Sequence, residues 1–242
     1  MNNYKLIIQY DGTEYCGWQI QNNAPTVQQV ITDKIEVITG RKVNLIGSGR
    51  TDSGVHALGQ AASFKIEDEI DIYKFKYSLN AVLPFDISIL EMNKIDEEFN
   101  ARFSAKRRSY VYLFSNFKSP FYQKYSYYYH EALDCDYLNK ICKTFLGKKN
   151  FTSFARKNTE TVNKVCNVYD ARWKATNGLK IFYIEADRFL HGMVRTIAGT
   201  LLRASKERAD GKYIEDILSA QDRESAGEAV PAKGLFLYKV KY

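Results

Sequence analysis

Residues 47–60 read GSGRTDSGVHALGQ. Gly47, Gly49, Gly54 and Gly59 fall within thirteen residues, around Arg50, Thr51 and Asp52. Glycine lets a backbone turn tightly and approach a ligand closely. The stretch therefore reads as a loop holding a guanidinium and a carboxylate two residues apart. Three readings compete. A phosphate loop is disfavoured, because no lysine follows the glycines at the required spacing. A plain connection between two strands is the second. In the third, Asp52 is a catalytic carboxylate and Arg50 its neighbour.

Other chemistries have less support. Cys16, Cys135, Cys142 and Cys166 form no CxxC pair, and His56, His130 and His191 add no ligand pair to them. No zinc or other metal site is expected, and the thiols read as reduced. No apolar run approaches the roughly 18 to 20 residues of a membrane span. The start, MNNYKLIIQYDGTEY, lacks a basic lead and a small-residue cleavage site, so a soluble, cytoplasmic protein is expected. With 45% hydrophobic and 26% charged residues the composition is globular, which excludes a wholly disordered chain.

Charge points to a polyanionic partner. The chain of 242 residues carries +7. Residues 1–103 hold 10 basic and 14 acidic side chains, whereas residues 104–242 hold 25 and 14. That sign change suggests two units, 1–103 and 104–242, with a nucleic-acid footprint mainly on the second.

The elements that must position Asp52 follow from hydrophobic period. YKLIIQY (4–10) reads as a strand. Thr26 and Gln29 make a capping-box pattern before a helix with Val27, Val30, Ile31, Ile35 and Ile38 on one face, ended by Gly40. VNLIG (43–47) and AASFKI (61–66) are strands on either side of the glycine-rich loop. IYKFKYSLNAVL (72–83) is a helix stopped by Pro84, and DISILEM (86–92) a strand. The second part repeats this order of elements: strand 108–114, helix 136–147, strands 164–173 and 179–189 joined at Asn177-Gly178, helix 192–205, a short helix near 213–220 and a final strand 234–242. The expected class is α+β: two βαββαβ-like units with mainly antiparallel sheets, helices on one face and a cleft between them.

Six ordered segments carry a resemblance. GRTDSGVHALGQ resembles the catalytic motif of the pseudouridine synthases of the TruA family, whose pattern is close to GRTDAGVHA, with Ser53 here in place of Ala. YDGTEYCGWQIQ (10–21), FNARFSAKRRSYVY (99–112, with Asn100 for the usual His), FTSFARKN (151–158), FLHGMVR (189–195) and AKGLFL (232–237) resemble the family's other landmarks in order. The resemblance spans nearly the whole chain. It implies isomerisation of uridines 38, 39 and 40 in the tRNA anticodon stem-loop, without a cofactor, by a homodimer. It makes Asp52 the catalytic carboxylate and Arg195 its basic partner. Tyr110 becomes the residue that packs on the target uracil, Leu235 the apolar wall of the pocket, and Arg50 the arginine that holds or replaces the flipped nucleotide.

Lys106, Arg107 and Arg108, just before Tyr110, are expected phosphate contacts. Lys148, Lys149, Arg156 and Lys157 are expected RNA contacts on a loop. The tyrosines of FYQKYSYYYH (121–130) fit an RNA groove and a sheet face equally. The rival class is a non-catalytic RNA-binding protein with tandem RNA-recognition-like units. The Arg50-Thr51-Asp52 loop argues against it, because binding alone does not require a carboxylate there.

Overall fold

The structure, a computed structural model, describes residues 1–157 and 161–242. They form two compact units, Met1–Lys106 with Phe236–Tyr242, and Arg107–Leu235. The first unit runs β1 (Asn2–Tyr10), α1 (Val27–Thr39), β2 (Ile46–Gly47), β3 (His56–Ile66), α2 (Ile72–Val82) and β4 (Ile87–Ile95). This is the expected βαββαβ order. β1 lies between β4 and β3, antiparallel to both, and β2 pairs antiparallel with β3. Along β1 the period of two buries Tyr4, Leu6, Ile8 and Tyr10, none more than 3% exposed.

The caps follow local chemistry. The Thr26 side chain accepts from the Gln29 N–H, which is half of the expected capping box. The other half is absent: the Gln29 amide bonds forward to Asp33 instead. Gly40, at φ 65, ends α1 in the left-handed conformation that glycine adopts without strain. Val27, Ile31 and Ile35 are buried, while Val30 and Ile38 are only half covered. Asn80 clamps α2 to β4, donating to the Ile89 carbonyl at 3.0 Å and accepting from its N–H at 2.8 Å.

The second unit contains β5 (Arg107–Ser115), β6 (Tyr127–Tyr128), α3 (Cys135–Cys142), β7 (Gly147–Asn150), β8 (Val165–Thr176), β9 (Leu179–Ala186), α4 (Met193–Glu207) and α5 (Gly211–Ala220). The order β5-β9-β8-β7 is antiparallel, and β6 adds to the end of β5 in parallel. Asn177 at φ 41 and Gly178 at φ 79 make the two-residue hairpin between β8 and β9. Asn139 of α3 holds the backbone of Trp173 in both directions, and Trp173 stacks between Phe114 and Phe182. The four cysteines are free. Burial pushes the Cys142 and Cys166 thiols up to about 12, so both stay neutral. No helix among the described residues is long and apolar enough to cross a membrane.

Several boundaries differ from the sequence reading. The strand expected at 43–47 shrinks to Ile46–Gly47, and the one expected at 61–66 starts at His56. The helix expected at 136–147 stops at Cys142. Lys143–Phe145 tightens into a 3-10 turn, and Gly147, at φ 88, breaks the chain into β7. The final strand, β10 (Leu235–Lys241), is expected in the second unit from its place in the chain, but residues 236–242 belong to the first. There β10 lies parallel to β3, with Phe236 opposite His56 and Leu237 opposite Ala57. Nothing local in GLFLYKVKY announces that partner, because parallel pairing is made by residues far apart in the chain.

Helix α4 packs through small residues. Ala198, Gly199, Thr200 and Ala204 are all buried. A Cβ on Gly199 would sit 1.7 Å from the Glu228 carbonyl oxygen, and the Gly227 N–H donates to Thr200 Oγ1 at 2.9 Å. Gly199→Ala must therefore push α4 off residues 227–230. We expect a loss of about 1–3 kcal/mol, or about 2–4 °C of melting temperature per kcal/mol for a chain of this size. A calorimetric melt that does not move would show that the contact yields freely.

Candidate active site

Asp52 sits on a turn that the first unit holds from several sides. Entering from β2, Ser48 donates its N–H to the Ala61 carbonyl at 2.7 Å and its hydroxyl to Gln60 Oε1 at 2.7 Å. Gln60 returns a bond from Nε2 to the Gly49 carbonyl at 2.9 Å. The chain then reverses over residues 52–55, where the Val55 N–H donates to the Asp52 carbonyl at 3.2 Å. Gly54, at φ 73, occupies the third position of that turn, which requires a positive φ. Thr51 is buried, Asp52 half-buried and Arg50 exposed, with Arg50 Nε donating to Gln19 Oε1 at 3.2 Å.

A second segment, residues 10–18, closes on this turn. The Trp18 N–H donates to the Thr51 carbonyl and the Gly54 N–H to the Tyr15 carbonyl, each at 3.2 Å. Ser53 Oγ reaches the same Tyr15 carbonyl at 3.3 Å. The approach leaves no room for side chains: a Cβ on Gly12 would lie 2.0 Å from the Val55 carbonyl oxygen, and one on Gly17 would lie 2.5 Å from that of Thr51. Tyr15 in turn donates to Asp86 at 2.7 Å, and burial together with this bond pushes its phenol above the ordinary tyrosine range. In the sequence, YDGTEYCGWQIQ is one landmark of the resemblance. Its glycine spacing is the signal that it packs against another backbone.

The second unit carries the other three predicted site residues. Tyr110 lies in β5 opposite Ile184, 8% exposed, with the Phe189 ring edge-on at 5.1 Å. Arg195 is the third residue of α4. Its Nε donates to the Val230 carbonyl at 2.7 Å, and the Val230 N–H donates to the Arg195 carbonyl at 3.2 Å. Burial raises the Tyr112 phenol against the opposing pull of Arg195, and Tyr112 donates to the Pro231 carbonyl at 2.6 Å. Leu235 opens β10 and is buried.

The basic residues divide by what they touch. Arg107 pairs with the buried Glu185 at 3.1 Å and lies 4.0 Å from the centre of the Tyr169 ring, while Arg108 donates to the Asp187 carbonyl at 2.9 Å. Lys106 is exposed. Lys148 and Lys149 are on strand β7, not on the expected loop, paired with Asn167 and Cys166 of β8. Arg156 is exposed and its N–H donates to the His191 carbonyl at 2.8 Å, which joins the FTSFAR segment to the entry of α4. Lys157 pairs with Glu224 at 2.5 Å. Asn158, the last residue of the FTSFARKN resemblance, lies outside the described residues. In the tyrosine-rich segment Phe121 and Tyr128 are exposed and Ser126 is buried. No cluster of three metal-ligating side chains occurs among the described residues.

A family model described as tRNA pseudouridine synthase matches residues 6–104 and 141–242, and the chain belongs to that family. It is accordingly an isomerase, of the family that turns uridine into pseudouridine. Similar curated proteins include those named tRNA pseudouridine synthase A from Caldicellulosiruptor saccharolyticus, 45% identical, Clostridium acetobutylicum, 41% identical, and Acetivibrio thermocellus, 40% identical. Each alignment covers 100% of this chain and 100% of the relative. The family match takes in Arg50, Asp52, Arg195 and Leu235, whereas Tyr110 falls between its two matched stretches. Family membership decides against both a phosphate-loop enzyme and a silent RNA-binding module.

The ion pair at Arg107 makes a separable prediction. Arg107→Ala leaves the Glu185 carboxylate without this guanidinium, and should cost about 1–3 kcal/mol of stability. Lys148→Ala, on an exposed edge, should stay within about 0.5 kcal/mol. Urea melts of the two variants check this. Equal stability would mean that Arg107 has no structural share.

Proposed function

We propose that this enzyme isomerises uridines 38, 39 and 40 of the tRNA anticodon stem-loop, as a cytoplasmic homodimer. The observation that carries the reading is Asp52, a half-buried carboxylate on a clamped turn, within a sequence that resembles the family's catalytic motif. The reaction breaks the N1–C1′ bond and forms C5–C1′. The C5 proton leaves and N1 gains one, so atoms and electrons balance without an outside donor. The protein must supply a group at C1′ and a site in which the detached base can turn.

Asp52 is that group. An ionised carboxylate serves either as nucleophile at C1′ or as base toward a glycal. Arg195, whose Nε is anchored on the Val230 carbonyl, is the basic partner that the family resemblance implies. Tyr110, its ring set by Phe189, offers a stacking face and a hydroxyl for the C5 proton. Leu235 adds an apolar wall. The target base must leave its stack to react, and Arg50, exposed on the same loop as Asp52, is suited to the vacated space. Lys106–Arg108, Lys148, Lys149, Arg156 and Lys157 meet phosphates. The second unit keeps 22 basic against 14 acidic residues after Lys106, Lys239 and Lys241 are assigned to the first, which supports placing the footprint there.

Asp52→Asn and Asp52→Ala should abolish tritium release from C5-labelled tRNA while filter binding stays within a few-fold. Carbodiimide mapping of the parent's product should mark positions 38, 39 and 40 alone. Turnover in either variant would remove Asp52 from the chemistry, and marks elsewhere would overturn the assignment of positions.

Affinity should also fall steeply with salt, because neutralised phosphates release counterions. Replacing Lys148, Lys149, Arg156 and Lys157 together should reduce the log–log slope by about one per lost phosphate contact. An unchanged slope would exclude these four from the footprint.

A further inference from the structure

A catalytic carboxylate works only within about 0.5 Å of its productive position, and a four-residue turn does not hold itself to that tolerance. Besides the backbone bonds above, two buried polar side chains reach the clasp between residues 10–18 and 50–56. Tyr10, 3% exposed at the end of β1, places its hydroxyl 2.8 Å from Thr51 Oγ1, one residue before Asp52. Its ring lies 6.1 Å from that of Trp18, and Trp18 fills the space where a Cβ on Gly47 would come within 2.4 Å of the indole nitrogen. His56, 1% exposed at the start of β3, holds Nδ1 3.0 Å from the Gly12 nitrogen, and its ring stacks on Phe236 at 4.6 Å. Asp11 Oδ1 is 3.0 Å from the same Nδ1 and accepts from Thr13.

Strand register supports the same end. Between the pairs Ile8–Gln60 and Tyr10–Ala57, β1 has one residue, Gln9, where β3 has two, Leu58 and Gly59. Such a bulge bends a strand and re-aims the side chains beside it. Here it lies just before the segment that meets Thr51.

We propose that Tyr10 and His56 are positioning residues for Asp52: they fix the height and tilt of the turn, and through it the rate of the chemical step, without contact with RNA. The inference rests on Asp52 being the catalytic carboxylate. A side chain that served only the core would contribute stability; one that positions the turn must set turnover at constant substrate affinity. Misplacement of about 1 Å costs up to a hundredfold in rate.

The test uses size-conserving variants of the full chain, with kcat and KM from tritium release and tRNA affinity from filter binding. Tyr10→Phe and Thr51→Val each remove one partner of the hydroxyl pair. Each should lower kcat by about 10- to 100-fold with KM and Kd within about threefold, and the double variant should be little worse than either single, because both cut one interaction. His56→Leu should do the same. His56→Asn, whose amide near the place of Nδ1 can accept from Gly12 or donate to Asp11, should recover kcat to within about threefold of the parent. If kcat in Tyr10→Phe, Thr51→Val and His56→Leu stays within about twofold of the parent, or if the loss falls on KM instead, the proposal is wrong. A His56→Asn protein no faster than His56→Leu overturns the role of His56. Should His56→Leu fail to fold, the two hydroxyl-pair variants decide. Parent turnover that Asp52→Asn abolishes is measured first. Without it the functional reading fails, and the positioning role fails with it.

Discussion

Backbone pressed against backbone, too closely for a Cβ, is the constraint on which the first unit's site depends. Gly12 against Val55 and Gly17 against Thr51 make residues 10–18 and 50–55 one piece. The piece extends further, because the first N–H groups of α1 donate back into it, Val27 to Gly17 and Gln28 to Trp18. The Gln28 side chain, itself buried, bonds the Leu45 carbonyl and the Ile20 N–H. The Asp52 turn is thus continuous with the end of β1, the start of α1 and both flanking strands. A buried backbone group must find a partner, and here those partners bind one motif to another.

The second unit solves a different problem, that of carrying many cations without self-repulsion. Part of its charge is spent internally. Arg107 answers Glu185, Lys206 pairs with Glu131 at 3.2 Å, and Arg208 approaches Asp134 at 3.5 Å. The Lys206 hydrogen bond holds the Glu131 carboxyl below the usual carboxylate range, and the Tyr137 N–H at the start of α3 does most to lower Asp134. The Lys206 and Arg208 pairs, being exposed, add little to stability. Net charge is therefore a poor count of phosphate contacts: Arg107 and Arg108 read as RNA ligands from their run, yet each also serves a carboxylate or carbonyl of β9 and its continuation.

Aromatic residues show the same division. Tyr110 and Tyr112, two apart in β5, are both buried, but Tyr110 meets the edge of Phe189 while Tyr112 is tied to Pro231 and fills the space over Gly234. Composition does not separate them. Their neighbours in space do, and those come from the far end of the unit.

Local physics was legible in the sequence. Thr26 and Gly40 mark helix ends because capping depends on a few adjacent residues, and Asn177-Gly178 marks a hairpin because only such residues accept its dihedral angles. The turn at Asp52 was equally legible, since its glycines stand together in thirteen residues. What the sequence did not reveal depends on partners distant in the chain. Whether GKKN forms a strand depends on β8 being beside it, and the home of residues 236–242 depends on a parallel register with β3. The tasks of Tyr10 and His56 likewise depend on which backbone closes over which turn. Spacing along a chain encodes local geometry, whereas pairings such as Asn150 with Val165, 15 residues on, or His56 with Phe236, 180 residues on, exist only once hydrophobic burial has brought the segments together.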